Sequence, residues 1–221
     1  MKKYLSALCL LFFAAAMTAQ TETNKFGITA GFGFQQYQGN VGNGFYNFKT
    51  SSYGVGTLHL TYYLSKSFDA GLIGTLGDYG YCQASSVANT EVPVIDRCKG
   101  CGDRVGLGNL NSRLYSAGFM VKYKFANGYL LKEDARFKPF VYGGACYNSI
   151  QDIMKMQCIS PGTYYSVNAG LGIRYDLNKR INVSYNLGFG YFVSAEHPDG
   201  MEHGANDTYL QNSVCVGISL F

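Results

Sequence analysis

Apolar and small or polar residues take turns along most of this chain. From Phe26 one face reads Phe26, Ile28, Ala30, Phe32, Phe34 and the other Gly27, Thr29, Gly31, Gly33, Gln35. The clearest pair comes later: Tyr165, Val167, Ala169, Leu171, Ile173, Tyr175, Leu177, and then Ile181, Val183, Tyr185, Leu187, Phe189, Tyr191, Val193. Both runs are interleaved with Ser, Asn and Gly. A period of two is the signature of strands and is incompatible with a helix. Eight such segments are predicted, at residues 25–38, 52–64, 68–81, 113–125, 139–149, 164–177, 181–193 and 209–221; the third and fifth alternate weakly. Each is long enough for a tilted strand to cross hydrocarbon, about 9 to 11 residues. Tight turns at 65–67 and 178–180 interleave with long connections, which places the long ones at one end of the sheet. The connection at 126–138 is too long for that rhythm.

Alternation does not say which face is wet. Composition does. Only 14% of residues are charged against 47% hydrophobic, roughly half the charge usual for a soluble domain and too apolar for a disordered chain. A soluble barrel would stock its polar face with Lys and Glu. Here that face is Gly, Ser, Thr and Asn, suited to the crowded lumen of an eight-stranded membrane barrel. The expected fold class is therefore all-β, an eight-stranded antiparallel up-and-down transmembrane β-barrel.

The charges inside the readable strands, Lys122, Lys124, Arg174 and Asp176, all fall on the small-residue face. A basic residue facing lipid at the midplane costs about 2 to 4 kcal/mol, which explains the bias. With His59, set between Thr57 and Thr61, they form a predicted polar and charged lumen cluster near the tight-turn end, where Asp69 and Asp176 are placed to neutralise the cations. An ion-pair plug is the first reading of this cluster and an anion-selective constriction the second. Tyr53, Tyr62, Tyr63, Tyr123, Phe125, Tyr175 and Tyr191 near strand ends are candidates for the aromatic girdles that mark a bilayer's interfaces.

Residues 1–19 read as a secretory signal: Lys2 and Lys3, an apolar run, then Thr18 and Ala19. Cys9 lies inside the apolar run after Leu8, which argues against a lipidation site. The remaining barrel domain, 20–221, carries a charge of only +2, since the leader holds two of the 18 basic residues and none of the 14 acidic ones. That is no nucleic-acid footprint. No later run is apolar enough for a membrane helix, so the bilayer must be crossed by strands.

Six cysteines follow the signal. Cys82, Cys98, Cys101 and Cys158 fall in long connections, Cys146 and Cys215 in strands. Export makes disulfides the first expectation for the loop four, with three connectivities open. Cys98 and Cys101 form a C-x-x-C that zinc could also use, but a full site needs a second close pair. No cofactor or metal is expected. The three histidines, His59, His197 and His203, come with no G-x-S-x-G and no H-E-x-x-H. The connection at 82–112 exceeds what a link requires and carries Asp96, Arg97, Lys99, Asp103 and Arg104. It is the first candidate for a contact surface.

In the opening KFGITAGFGFQQYQGNVG, the stretch FANGYLLKEDARFKPFVYGG, the run AGLGIRYDLNKRINVSYNLGFGYF and the closing NDTYLQNSVCVGISLF, the chain resembles the amino-terminal barrel of outer-membrane protein A-like proteins. The resemblance implies an eight-stranded barrel with a filled lumen, serving envelope integrity, adhesion or surface contacts. Many members continue into a peptidoglycan-binding domain; this chain ends at Phe221, so no cell-wall tether is expected. The terminal aromatic looks like the signal read by the barrel assembly machinery, although Phe221 is out of step with the apolar face of Val214, Val216, Ile218 and Leu220. The expected protein is non-enzymatic and sits in the bilayer of a bacterial outer membrane with its amino terminus in the periplasm. Its long outer loops offer a surface to an extracellular protein or polysaccharide. A lipid-modifying enzyme is the alternative, and a narrow channel comes third.

Overall fold

The computed structural model describes residues 25–38, 45, 52–78, 112–152, 162–193 and 207–220. The predicted signal, Cys82, Cys98, Cys101, Cys158, His197, His203 and Phe221 lie outside them, and so does the side chain of Tyr53. Eight strands form: β1 (Phe26–Gln38), β2 (Ser52–Tyr63), β3 (Phe68–Asp78), β4 (Ser112–Lys124), β5 (Phe137–Asp152), β6 (Gly162–Asp176), β7 (Ile181–Phe192) and β8 (Thr208–Leu220). Every neighbour pair is antiparallel, and β8 pairs back onto β1 to close the barrel. Closure is what hydrocarbon demands, because an open edge there leaves backbone N–H and C=O groups unpaired at several kcal/mol each.

The register sets the barrel's shape. Stepping across partners from Phe26 leads through Tyr62, Ala70, Val121, Gly143, Ala169, Phe189 and Leu210 and returns to β1 at Gln36, ten residues further along. With eight strands, that stagger gives a tilt of about 40° and a backbone radius of about 8 Å. The stagger is even, so a residue that starts outside is still outside after one circuit, and the inside and outside faces close without conflict.

Side chains sort accordingly. Phe32, Leu72, Phe119, Leu171 and Val216 point outward and are between 52% and 77% exposed on the bare chain. Asn186, Ser184, Ser166, Thr57 and His59 point inward and are buried. The weak alternation of the third and fifth segments has a physical cause: Ile73, Phe140, Tyr142 and Ile150 carry large side chains on the lumen face, as the register shows. The fifth strand consequently begins at Phe137 rather than 139 and takes in Lys138.

One end of the barrel is held by side-chain turns. Ser65 Oγ accepts from the N–H groups of Ser67 (3.3 Å) and Phe68 (3.1 Å), and Asn178 Oδ1 accepts from those of Arg180 and Ile181, both at 2.8 Å. These are the local hydrogen bonds that make Ser and Asn turn formers. The long connection between β4 and β5 is folded on itself by the same chemistry. Asn127 Oδ1 accepts from Tyr129 and Leu130 N–H (3.0 and 3.1 Å), Gly128 takes a φ of 85°, and Glu133 pairs with Lys66 of the β2–β3 turn at 2.8 Å. Around this end aromatic rings meet across strands: Phe26 with Tyr62 (5.0 Å), Phe68 with Tyr123 (5.3 Å) and Phe137 with Tyr175 (4.8 Å). Tyr63, expected among the girdle residues, instead faces the lumen, where its ring lies under Lys124 at 4.2 Å.

Candidate functional site

The lumen is the one place where this fold gathers chemistry, and it is layered along the axis. At the turn end, neighbouring strands project alternating charge. Lys124 Nζ of β4 sits 2.5 Å from Asp69 Oδ1 of β3. Asp176 of β6 takes two cations, Arg174 Nε at 2.6 Å and Lys138 Nζ at 2.9 Å. Asp69 is only 3% exposed, so this pairing offsets part of the cost of taking both groups out of water. Lys122 lies one inward position above Lys124 and reaches over the Phe140 ring at 4.7 Å. The predicted residues Lys122, Lys124, Arg174 and Asp176 thus share one region of the lumen, with Asp69 and Asp176 neutralising part of the charge. Lys138 joins them because β5 starts earlier than its pattern suggested.

The middle layer is polar and neutral. Both strand cysteines are free thiols: Cys146 Sγ accepts from Asn168 Nδ2 at 2.8 Å, and Cys215 Sγ accepts from Asn186 Nδ2 at 3.2 Å. Tyr209 OH donates to Asn168 Oδ1 at 2.6 Å, and Asn148 Nδ2 donates to Ser166 Oγ at 2.9 Å. The glycines of β6 and β7 are shaped to this layer. A Cβ on Gly172 would come within 2.4 Å of the Phe140 ring, one on Gly170 within 2.4 Å of Tyr142, and one on Gly190 within 2.1 Å of Tyr209. The small-residue face is the recess into which rings from β5 and β8 pack.

At the loop end, Tyr37, Leu114, Ile150, Tyr164, Phe192 and Tyr209 form an apolar cluster. Tyr164 meets Phe192 edge-on (6.1 Å), Phe192 meets Tyr209 (5.4 Å), and Tyr37 OH donates to Asp207. Sequence reading missed this cap because its members come from six strands and each is the last inward residue or nearly so; the strand-end parity carries the signal only once the register is known.

Chemically, this arrangement binds charge and fills space. His59 is 6% exposed, inside the wall rather than on the lipid side. Among the described residues no group of three His, Cys, Asp or Glu side chains is placed to hold a metal ion.

Solved structures with the same architecture are membrane barrels of distant sequence. Neisserial surface protein A (NspA) is 12% identical with a TM-score of 0.55, the match covering 88% of this chain and 97% of that one. Ail, the attachment invasion locus protein of Yersinia pestis, in complex with the heparin analogue sucrose octasulfate, is 10% identical with a TM-score of 0.45, covering 89% and 99%. The outer membrane enzyme PagL is 11% identical with a TM-score of 0.41, covering 87% and 98%. No curated protein matches the chain. The family model for the outer membrane protein beta-barrel domain does match, over residues 5–220, and with the closed, outward-apolar eight-stranded barrel it settles the family: the chain is an outer-membrane β-barrel protein of that family.

Proposed function

We propose that the protein is a non-enzymatic barrel of the bacterial outer membrane. In this reading the side-chain turns lie in the periplasm, and the connections at the other end, above all residues 79–111, are the contact surface for an extracellular protein or polysaccharide. The observation that carries this is the filled lumen. A charged layer at one end and an aromatic cap at the other crowd the barrel interior with side chains, as expected at eight strands. A closed interior supports neither passage of solutes nor access of a lipid to His59. What varies freely on such a scaffold is the set of connections outside it.

The test replaces residues 82–108 with a short Gly/Ser link in cells displaying the protein. Binding to surfaces coated with sulfated or neutral polysaccharide or with matrix protein should fall, while the barrel still shifts its gel mobility on boiling. Unchanged binding would remove that connection from the reading. Release of acyl chains or sugars from purified outer-membrane lipid by the purified barrel, or steady ion conductance in planar bilayers, would favour the enzyme or the channel instead.

A further inference from the structure

The charged layer does not balance. Among the described residues its carboxylates are Asp69 and Asp176, and its basic side chains are Lys122, Lys124, Lys138 and Arg174. Asp69 is taken by Lys124, and Asp176 by Arg174 and Lys138. Lys122 is left over: among the described residues it makes no hydrogen bond or ion pair, and its one close partner is the face of Phe140. Beside it is a polar cavity of about 20 Å3, lined by Lys122, Arg174, His59, Thr29, Thr61 and Asn182 among others. His59 is more than nine-tenths buried, lines this space, and forms no hydrogen bond within the described residues. Arg174 spends its Nε on Asp176, which leaves its two terminal amino groups to find acceptors elsewhere.

An ammonium and a guanidinium have donors and no acceptors. Side by side in a low-dielectric wall, they need negative charge more than they need a neutral water molecule. The cavity has room for about one water-sized particle, which matches a monatomic anion better than phosphate, sulfate or a carboxylate-bearing metabolite. We propose that this cavity is a binding site for one monatomic anion of chloride size, held between Lys122, Arg174 and His59 with the hydroxyl donor of Thr29 and the amide donor of Asn182 around it. The ion completes the neutralisation that the two carboxylates leave unfinished, and the charged layer is then a structural anion site rather than a set of ion pairs alone.

The test uses the whole barrel refolded in a neutral detergent. Crystals grown in sodium bromide should show an anomalous peak in the cavity. Melting followed by circular dichroism should rise on the order of 5 °C over a hundredfold increase in chloride, with sodium gluconate at equal ionic strength giving no such rise. Lys122→Met should abolish the chloride dependence. A cavity that holds only water in bromide crystals, or melting that follows ionic strength equally in gluconate, would overturn the proposal. Should Lys122→Met fail to fold, the bromide and gluconate measurements on the unaltered chain decide.

Discussion

Asp69→Asn is the sharpest probe of the lumen. The substitution keeps the shape of the side chain and removes its charge, leaving Lys124 facing a neutral amide with the Tyr63 ring on its other side. Were the pair exposed, the cost would be about 0 to 1 kcal/mol. Asp69 is 3% exposed and the Lys124 side chain 21%, and breaking a buried pair on one side costs roughly 3 to 5 kcal/mol because a charge is stranded. Lys124's partial access to the barrel mouth puts the expectation at the lower end, about 3 kcal/mol, or roughly 150-fold in the folded-to-unfolded ratio. The double variant Asp69→Asn with Lys124→Met strands nothing and should recover much of the loss, giving a coupling of about 2 kcal/mol. Urea titrations in neutral detergent, read by far-ultraviolet circular dichroism and by gel mobility without boiling, supply all four corners of the cycle. A single-variant cost under about 0.5 kcal/mol with an additive cycle would mean that water reaches the pair freely and that the lumen is not the sealed layer described.

Leu171 faces lipid at 56% exposure, so Leu171→Arg should cost about 2 to 4 kcal/mol in vesicle unfolding titrations; an unchanged midpoint would reverse the assignment of faces. The glycines separate by face. Gly172→Ala drives a Cβ into Phe140 and the Tyr185 carbonyl and should lower stability by about 1 to 3 kcal/mol. Gly74→Ala on the outer face meets nothing nearer than 3.8 Å and should be neutral or gain about 0.5 to 1 kcal/mol. With Cys82, Cys98, Cys101 and Cys158 changed to Ser, a bulky maleimide should leave the folded barrel unlabelled and modify both Cys146 and Cys215 after boiling. These two are 5% and 1% exposed, and labelling of the folded form by mass spectrometry would refute their burial.

Strand number, order and facing were legible in the sequence because the membrane enforces them at nearly every position. Leu171 beside Gly172 and Leu187 beside Asn186 report orientation directly. Legibility failed where the lumen itself is apolar. Phe140, Tyr142 and Ile150 in β5, and Ile73 in β3, erase the polar half of the alternation because they pack against recesses opposite. That also hid Lys138, assigned to a connection although it reaches Asp176. Tyr63 shows the opposite error: its parity with Thr61 places it inward, but its position at a strand end suggested the interface. The aromatic cap was out of reach, since a cluster drawn from six strands exists only after the ten-residue stagger is known.

The first and last strands, β1 and β8, pair along their whole lengths, from Phe26 with Leu220 to Gln38 with Thr208. The seam therefore joins the first strand of the barrel to be made to the last, and no product of translation that stops short of β8 owns a complete hydrogen-bond circuit. A half-made sheet would hold two raw margins in oil. Partition into the bilayer must then be an all-at-once event for the barrel, with the early strands kept from committing until the thirteen residues of β8 arrive. Ribosome-released fragments lacking β8 should stay outside the lipid phase, however greasy their outer rows.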